Sequence, residues 1–154
     1  MHIRQAIPED IPAILELGRS LHAESHYRAY PLDTHRVVTA IREILSTSGR
    51  TCLFLAENAK GELAGMLSAR IANLFYFDRL VAQEQMFYVH PEWRGSSAAT
   101  KLLMAGRRWA ANRGASEFMV SVNGGIGLEA MPRLMRRLGF THVGQTFSMK
   151  LTSP

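Results

Sequence analysis

Apolar residues recur along this chain with two different periods, and the points where the period changes mark out its elements. Ile3 to Ile7 reads as a short strand. Pro8-Glu9-Asp10 then precedes Ile11, Ile14, Leu15 and Leu21 at helical spacing, with Asp10 as the expected N-cap and Pro12 early enough in the helix to be tolerated. His22 to Pro31 is polar and aromatic without a clean period and reads as a connection. Thr34 opens a second helix through Val37, Val38, Ile41, Ile44 and Leu45, ending near Ser48-Gly49, where glycine takes the left-handed conformation cheaply.

Thr51–Glu57 and Leu63–Ala72 are β-rich and flank the turn-forming Asn58-Ala59-Lys60-Gly61, which predicts an antiparallel hairpin. A further strand runs from about Val81 to Val89 and stops at His90-Pro91. Ser96–Asn112 is strongly helical, with Ala99, Leu102, Leu103, Gly106, Trp109 and Ala110 on its apolar face and Gly114 beyond its end. Phe118–Val122 reads as a strand and Asn123–Gly127 as a loop. A basic helix follows from about Glu129 to Arg137, and a last strand from Gly144 to Leu151. The order β-α-α-β-β-β-α-β-α-β predicts an α/β or α+β fold, one layer of sheet with helices packed on it. Without repeats, low-complexity stretches or a Pro/Gly-rich linker, residues 1–154 are expected to form one domain.

Composition narrows the function classes. Hydrophobic residues make up 47% and charged residues 20%, the balance of a folded soluble protein. No apolar run approaches the roughly 20 residues of a membrane span, and the first residues lack the apolar centre of a secretory signal, so the expected location is cytoplasmic. The single cysteine, Cys52, excludes an internal disulfide framework and sits in an apolar run that predicts a buried, inert thiol. His22 and His26 are spaced i, i+4, but the pattern is not the zinc-protease motif and lacks an obvious third ligand, so no metal is expected. A net charge of +5 suits an anionic partner, either a phosphorylated small molecule or a nucleic acid.

The chemistry concentrates between Met86 and Leu103. An apolar strand ends at Pro91, and a short loop of small residues, Arg94-Gly95-Ser96-Ser97-Ala98-Ala99, opens directly into the long helix. Backbone N–H groups left unpaired at a helix N-terminus attract anions, and side chains this small let a diphosphate approach them. Arg94 adds a charge-assisted donor. Neither a Walker loop nor a dinucleotide fingerprint is present.

With these residues in place the chain resembles the GNAT N-acetyltransferase superfamily. Its cofactor loop, Arg/Gln-x-x-Gly-x-Gly/Ala after a strand ending Val-x-Pro, is matched by Val89-His90-Pro91 and Arg94 through Ala99, with Ser97 in place of the first motif glycine. The opening Ile3-Arg4-Gln5-Ala6 with Glu9-Asp10-Ile11-Pro12-Ala13-Ile14 looks like the family's first strand and helix, and Leu138-Gly139-Phe140 like its late signature. The Arg-Gly-Ser-Ser-Ala-Ala and Asn-Gly-Gly loops further resemble phage and prophage members. The resemblance implies a mixed, mostly antiparallel sheet of about six or seven strands with a splayed parallel pair, flanked by about four helices.

It also implies acetyl-CoA as co-substrate and an amine acceptor, with no metal. The backbone of Phe87, Tyr88 and Val89 would hold the pantetheine arm between the splayed strands. The amides of Arg94, Gly95, Ser96, Ser97, Ala98 and Ala99 would hold the pyrophosphate, and Asn123 would contact the cofactor. Glu84 is the candidate base and Tyr88 a second proton-handling candidate. Met135 stands where the family usually has a tyrosine acid. Glu24, His26, Tyr27, Tyr30 and Asp33 border the implied acceptor cleft, and a homodimer is a family possibility.

Two other readings stand beside this one. The first is a GNAT-fold module that binds acyl-CoA without turnover. The second, disfavoured because its arginines are not interleaved with aromatics in a recognisable module, is a basic nucleic-acid-binding domain. Arg107, Arg108, Arg113, Arg133, Arg136 and Arg137 are expected on solvated faces, and Phe75, Tyr76 and Phe77 in a cleft wall, a dimer contact or the core.

Overall fold

Five of the six strands expected from the pattern form, and they pair in chain order. The structure, a computed structural model, describes residues 1–47, 49–76, 78–122, 124–149 and 151. Strands β1 (His2–Gln5), β2 (Thr51–Glu57), β3 (Leu63–Asn73) and β4 (Leu80–Val89) are successively antiparallel, and β5 (Glu117–Met119) lies parallel to β4 at the edge of the sheet. A parallel pair needs a long crossover. Helix α3 (Ala98–Asn112) supplies it.

Helices α1 (Ile11–Glu24) and α2 (Thr34–Ser46) cover one face, where Ile14, Leu17 and Ile41 pack on Leu53, Leu55, Met66 and Tyr88. Helices α3 and α4 (Ala130–Arg137) cover the other, where Leu102, Leu103, Trp109 and Met135 pack on Ala56, Leu67, Ala69 and Ala82. Burial on both faces explains why β3 reads as a nearly continuous apolar run rather than an alternating one.

Two close approaches fix the layers. A Cβ on Gly65 would lie 2.5 Å from the Tyr88 carbonyl, and one on Gly106 would lie 2.8 Å from the Phe118 ring. The β3–β4 register slips between Ser68 and Ala69: Ser68 faces Met86 while Ala69 faces Glu84, which leaves Gln85 as the extra residue of a bulge.

The structure corrects several expectations. Among the described residues the sheet has five strands, not six or seven, because residues 144–149 and Leu151, where the last strand was expected, lie outside any helix or strand and are exposed. Strand β5 stops at Met119 rather than Val122, since its pairing with β4 ends there. Helix α1 runs on to Glu24, into the expected connection. Asp10 does not cap α1: its carboxylate takes the Ile7 N–H at 2.8 Å and a two-pronged contact from Arg4 at 2.7 and 2.8 Å, pinning β1 to the helix start. The four expected helices are all present. Among the described residues no helix is long and apolar enough to cross a membrane.

Candidate functional site

Strands β4 and β5 stay paired only from Val81–Glu117 to Gln83–Met119, and then part. Glu84, the next residue on β4, sits where they diverge and accepts the Ser121 N–H at 3.2 Å across the opening. Burial drives its carboxyl up to about 7, against the smaller opposing effect of that hydrogen bond. A carboxyl group titrating near neutrality at a strand junction is poised to exchange protons.

Beyond the junction a cavity of about 240 Å³ opens between the end of β4 and the start of α3 on one side and the Ser121–Met131 segment on the other. Phe87, Tyr88, Val89, Arg94, Gly95 and Ala99 line it, joined by Ser121, Val122, Met131 and Leu134. Ser121 also lines a second opening, together with Glu84, Arg70 and Gln83.

The loop into α3 has the form an anion site requires. The turn Pro91–Trp93 leads to Gly95 at φ +84°, a conformation that suits glycine. Ser97 precedes the helix without a side-chain cap, and Ser96 Oγ accepts the Ala98 N–H at 3.2 Å. The N–H groups of Gly95, Ser97, Ala99 and Thr100 have no protein partner among the described residues. Arg94 through Ser97 are exposed, and Arg94, Gly95 and Ala99 of this segment line the cavity.

Tyr88, Glu24 and Arg94 form a linked group that joins the end of α1 to this loop. The Tyr88 hydroxyl donates a short hydrogen bond to Glu24 Oε1, and Arg94 Nη2 donates to Glu24 Oε2 at 2.7 Å. The Arg94 guanidinium lies 5.8 Å from the Tyr88 ring centroid, and its Nε donates to the Val89 carbonyl at 3.1 Å. Burial raises the Glu24 carboxyl, but the bonds from Tyr88 and Arg94 outweigh it and the net shift is downward. Burial, reinforced by Glu24, pushes the Tyr88 hydroxyl well above its ordinary range, so it stays protonated.

The connection after α1 packs against the loop that follows β5. His26 N–H donates to the Gly124 carbonyl at 2.6 Å, bringing Ser25 and His26 against the loop that follows β5. Tyr27 and Tyr30 are half exposed there. Asp33 instead caps α2, accepting the Arg36 N–H at 3.0 Å. Of the other residues singled out in the sequence, Asn123 and Phe77 lie outside the described residues, while Phe75 and Tyr76 are exposed at the β3–β4 turn.

The chain matches the acetyltransferase (GNAT) family over residues 15–140. It belongs to that family. No curated protein sequence matches it. Among solved structures, a transcriptional regulator from Bacillus halodurans C-125 is similar at TM-score 0.77 and 22% identity over 97% of this chain and 99% of that one. The aminoglycoside 6'-N-acetyltransferase AAC(6')-Ih from Acinetobacter baumannii is similar at TM-score 0.74 and 18% identity over 99% of both chains. AAC(6')-Iy, solved with the bisubstrate analog CoA-S-monomethyl-acetylneamine, gives TM-score 0.75 and 22% identity over 99% of this chain and 98% of that one. At these identities the likeness is one of fold.

Met135, expected from the sequence to stand at the family's tyrosine position, is buried in the α3/α4 core and offers no proton donor. Cys52 is buried too, and desolvation pushes its thiol up to about 12. Among the described residues no group of three His, Cys, Asp or Glu side chains lies close enough to hold a metal.

The Glu24–Tyr88–Arg94 group was not legible as a unit in the sequence. Glu24 stands 64 residues from Tyr88 and 70 from Arg94. In the sequence Glu24 falls in the aperiodic His22–Pro31 stretch, and that place names no partner.

Proposed function

We propose that this GNAT chain is an acetyl-CoA-dependent N-acetyltransferase, acting as a single domain over residues 1–154 on an amine of a small molecule or a protein. The observation that carries the reading is the Glu84 carboxyl at the β4–β5 junction, titrating near neutrality beside a cleft that ends at unpaired amides. The donor's diphosphate suits the N–H groups of Gly95, Ser97, Ala99 and Thr100, with Arg94 adding charge. Its pantetheine arm suits the space beside the Phe87–Val89 backbone, which β5 no longer pairs. The family match supports acetyl-CoA, and the CoA-bearing analog bound to AAC(6')-Iy is consistent with it.

In this reading Glu84, as carboxylate, accepts a proton from the acceptor ammonium, and the neutral amine attacks the thioester carbonyl. A new C–N bond forms and leaves the nitrogen cationic; the C–S bond breaks, the thiolate leaves with the electron pair, and the nitrogen gives its second proton to solvent at the open cleft. Met135 cannot protonate the thiolate, and Tyr88 already donates its hydrogen to Glu24. The thiolate therefore takes its proton from solvent at the open cleft. The aminoglycoside acetyltransferases among the similar folds make polyamine sugars a sensible first acceptor set.

The test is thermal unfolding with acetyl-CoA, coenzyme A or an adenine nucleotide, followed by thiol release with a panel of amines. Selective binding at 100 times Kd stabilises the fold by about 2.7 kcal/mol. No shift at millimolar acetyl-CoA overturns the reading. The buried Met135 favours a second reading, a module that binds acyl-CoA without turnover. That reading expects the same thermal shift, but no thiol release with any amine.

A further inference from the structure

The opening beside Glu84 is also lined by Arg70, Gln83, Gln85, Met119 and Ser121. Gln83, Glu84 and Gln85 are consecutive, and in a regular strand the middle one points away from the other two. Here all three line the same opening, at the place where Gln85 is the extra residue of the β3–β4 bulge. A bulge re-aims side chains and recurs beside active sites. The result is a polar recess with two amides around one carboxyl group.

Arg70 is the only cation lining this recess among the described residues. It stands on β3 between Thr51 of β2 and Gln83 of β4, both uncharged, and forms no ion pair among the described residues. Its Nη2 donates to Gln83 Oε1 at 3.5 Å, the long limit of a hydrogen bond. That contact directs the guanidinium toward the residue next to Glu84 and leaves most of its N–H donors for another partner. A planar fork of donors matches a carboxylate.

The other carboxylates expected at the acceptor side of the cleft are already engaged. Glu24 holds Tyr88 and Arg94, and Asp33 caps α2. Glu84 remains, and it has to take a proton from the reacting amine. A second ammonium group on the acceptor meets Arg70 with like charge. An acceptor whose amine is balanced by its own acid group meets it with opposite charge instead.

We propose that the acceptor is a primary amine with a carboxylate a few bonds away, an amino acid in the simplest case, and that Arg70 selects it by pairing with that carboxylate while the amine faces Glu84. Gln83 and Glu84 are neighbours on β4, so a short spacer between the two acceptor groups suffices. The inference rests on the acetyltransferase reading. The nitrogen takes the acetyl group and gives one proton to Glu84 and one to solvent, the thiolate leaves, and the acceptor's carboxylate stays ionised on Arg70 throughout.

The experiment measures thiol release from acetyl-CoA with amino acids, the matching carboxamides and polyamine sugars, in the wild type, Arg70→Gln and Arg70→Glu. Arg70→Gln should raise KM for amino acids about tenfold or more with kcat little changed, and should move the carboxamides little. Reading each amino acid against its carboxamide in both proteins cancels the difference in amine basicity. Arg70→Glu should turn the preference toward polyamine sugars. Acetyl-CoA affinity by calorimetry should be equal in all three proteins, which shows that the variants fold. Faster release with polyamine sugars than with any amino acid overturns the proposal and leaves the acetyltransferase reading standing. An amino-acid preference that survives Arg70→Gln does the same. No release with any amine rejects the acetyltransferase reading instead, and the recess is then judged by calorimetry of the amino acids in the presence of coenzyme A. Binding that Arg70→Gln abolishes supports an amino-acid site, and absence of binding rejects it.

Discussion

At the scale of single residues, the chemistry turns on how the fold treats two carboxylates. Glu84 is held above its ordinary range by burial, up to about 7, so the folded state binds its proton more tightly than the unfolded chain does. Its ionisation therefore costs stability as pH rises from the ordinary carboxylate range to about 7. Relative to Glu84→Gln, the wild type should lose roughly 2–3 kcal/mol of unfolding free energy across that window, as urea titrations at several pH values would show. The same substitution should lower kcat/KM for acetyl transfer by about 10²–10⁴ and abolish an activity limb rising near neutrality. An unchanged pH profile would remove Glu84 from the reaction.

Glu24 behaves oppositely. Its net shift is downward, so its contribution is present above the ordinary carboxylate range and is lost as pH falls through its folded value. Glu24→Gln frees Arg94 from its ion pair and is expected to tighten acetyl-CoA binding a few-fold by calorimetry, whereas Arg94→Ala weakens it. Weakening in both variants would mean that Glu24 orders Arg94 for the diphosphate instead of competing with it. Glu84 could be named from its place on a strand leading into the loop. The Glu24–Arg94 pair could not, because sequence distance hides what α1 and β4 bring together.

At the scale of elements, local chemistry made most of the fold readable. Helical periods located α1 through α4, and turn residues at Asn58–Gly61 located the hairpin; there the Asn58 side-chain oxygen accepts the N–H groups of Lys60 and Glu62 at 2.8 and 3.0 Å. What stayed illegible depends on neighbours. Alternation records which way side chains point, not whether a sheet edge lies within reach, so 144–151 reads as a strand while the described residues 144–149 and Leu151 lie outside any strand. The bulge at Gln85 was equally silent, since an extra residue in one strand is defined by its partner.

Layer contact is where a small change should register most. Gly106→Ala places a methyl 2.8 Å from the Phe118 ring and 3.1 Å from Leu67, both side chains that can shift. A loss of about 1–3 kcal/mol is expected. Gly65→Ala meets the Tyr88 carbonyl at 2.5 Å, and backbone cannot rotate away. Chemical denaturation should rank it clearly below Gly106→Ala. The reverse order would show that β3 and β4 can separate more easily than α3 can leave β5.

At the scale of the whole molecule, the question is what a net charge of +5 does. Arg107, Arg108 and Arg113 are exposed on or just after α3, and Arg133, Arg136 and Arg137 are exposed on α4, the helix whose Ala130, Met131 and Leu134 line the cleft. Arg94 alone among these arginines lines the cleft itself. The charge thus has two parts with different physical consequences. Distributed surface charge raises the encounter rate of an anionic donor and is screened by salt, while a contact charge governs how long the donor stays. Replacing Arg133, Arg136 and Arg137 together by Gln should therefore lower the association rate of acetyl-CoA and flatten its dependence on salt between 50 and 200 mM, leaving dissociation nearly unchanged. Arg94→Ala should do the reverse, speeding dissociation about tenfold or more with little change in association. Stopped-flow binding at the two ionic strengths separates them. Equal effects on dissociation from both variants would place the α4 arginines in contact with the bound donor, and the cleft would then extend along α4 instead of ending at the start of α3.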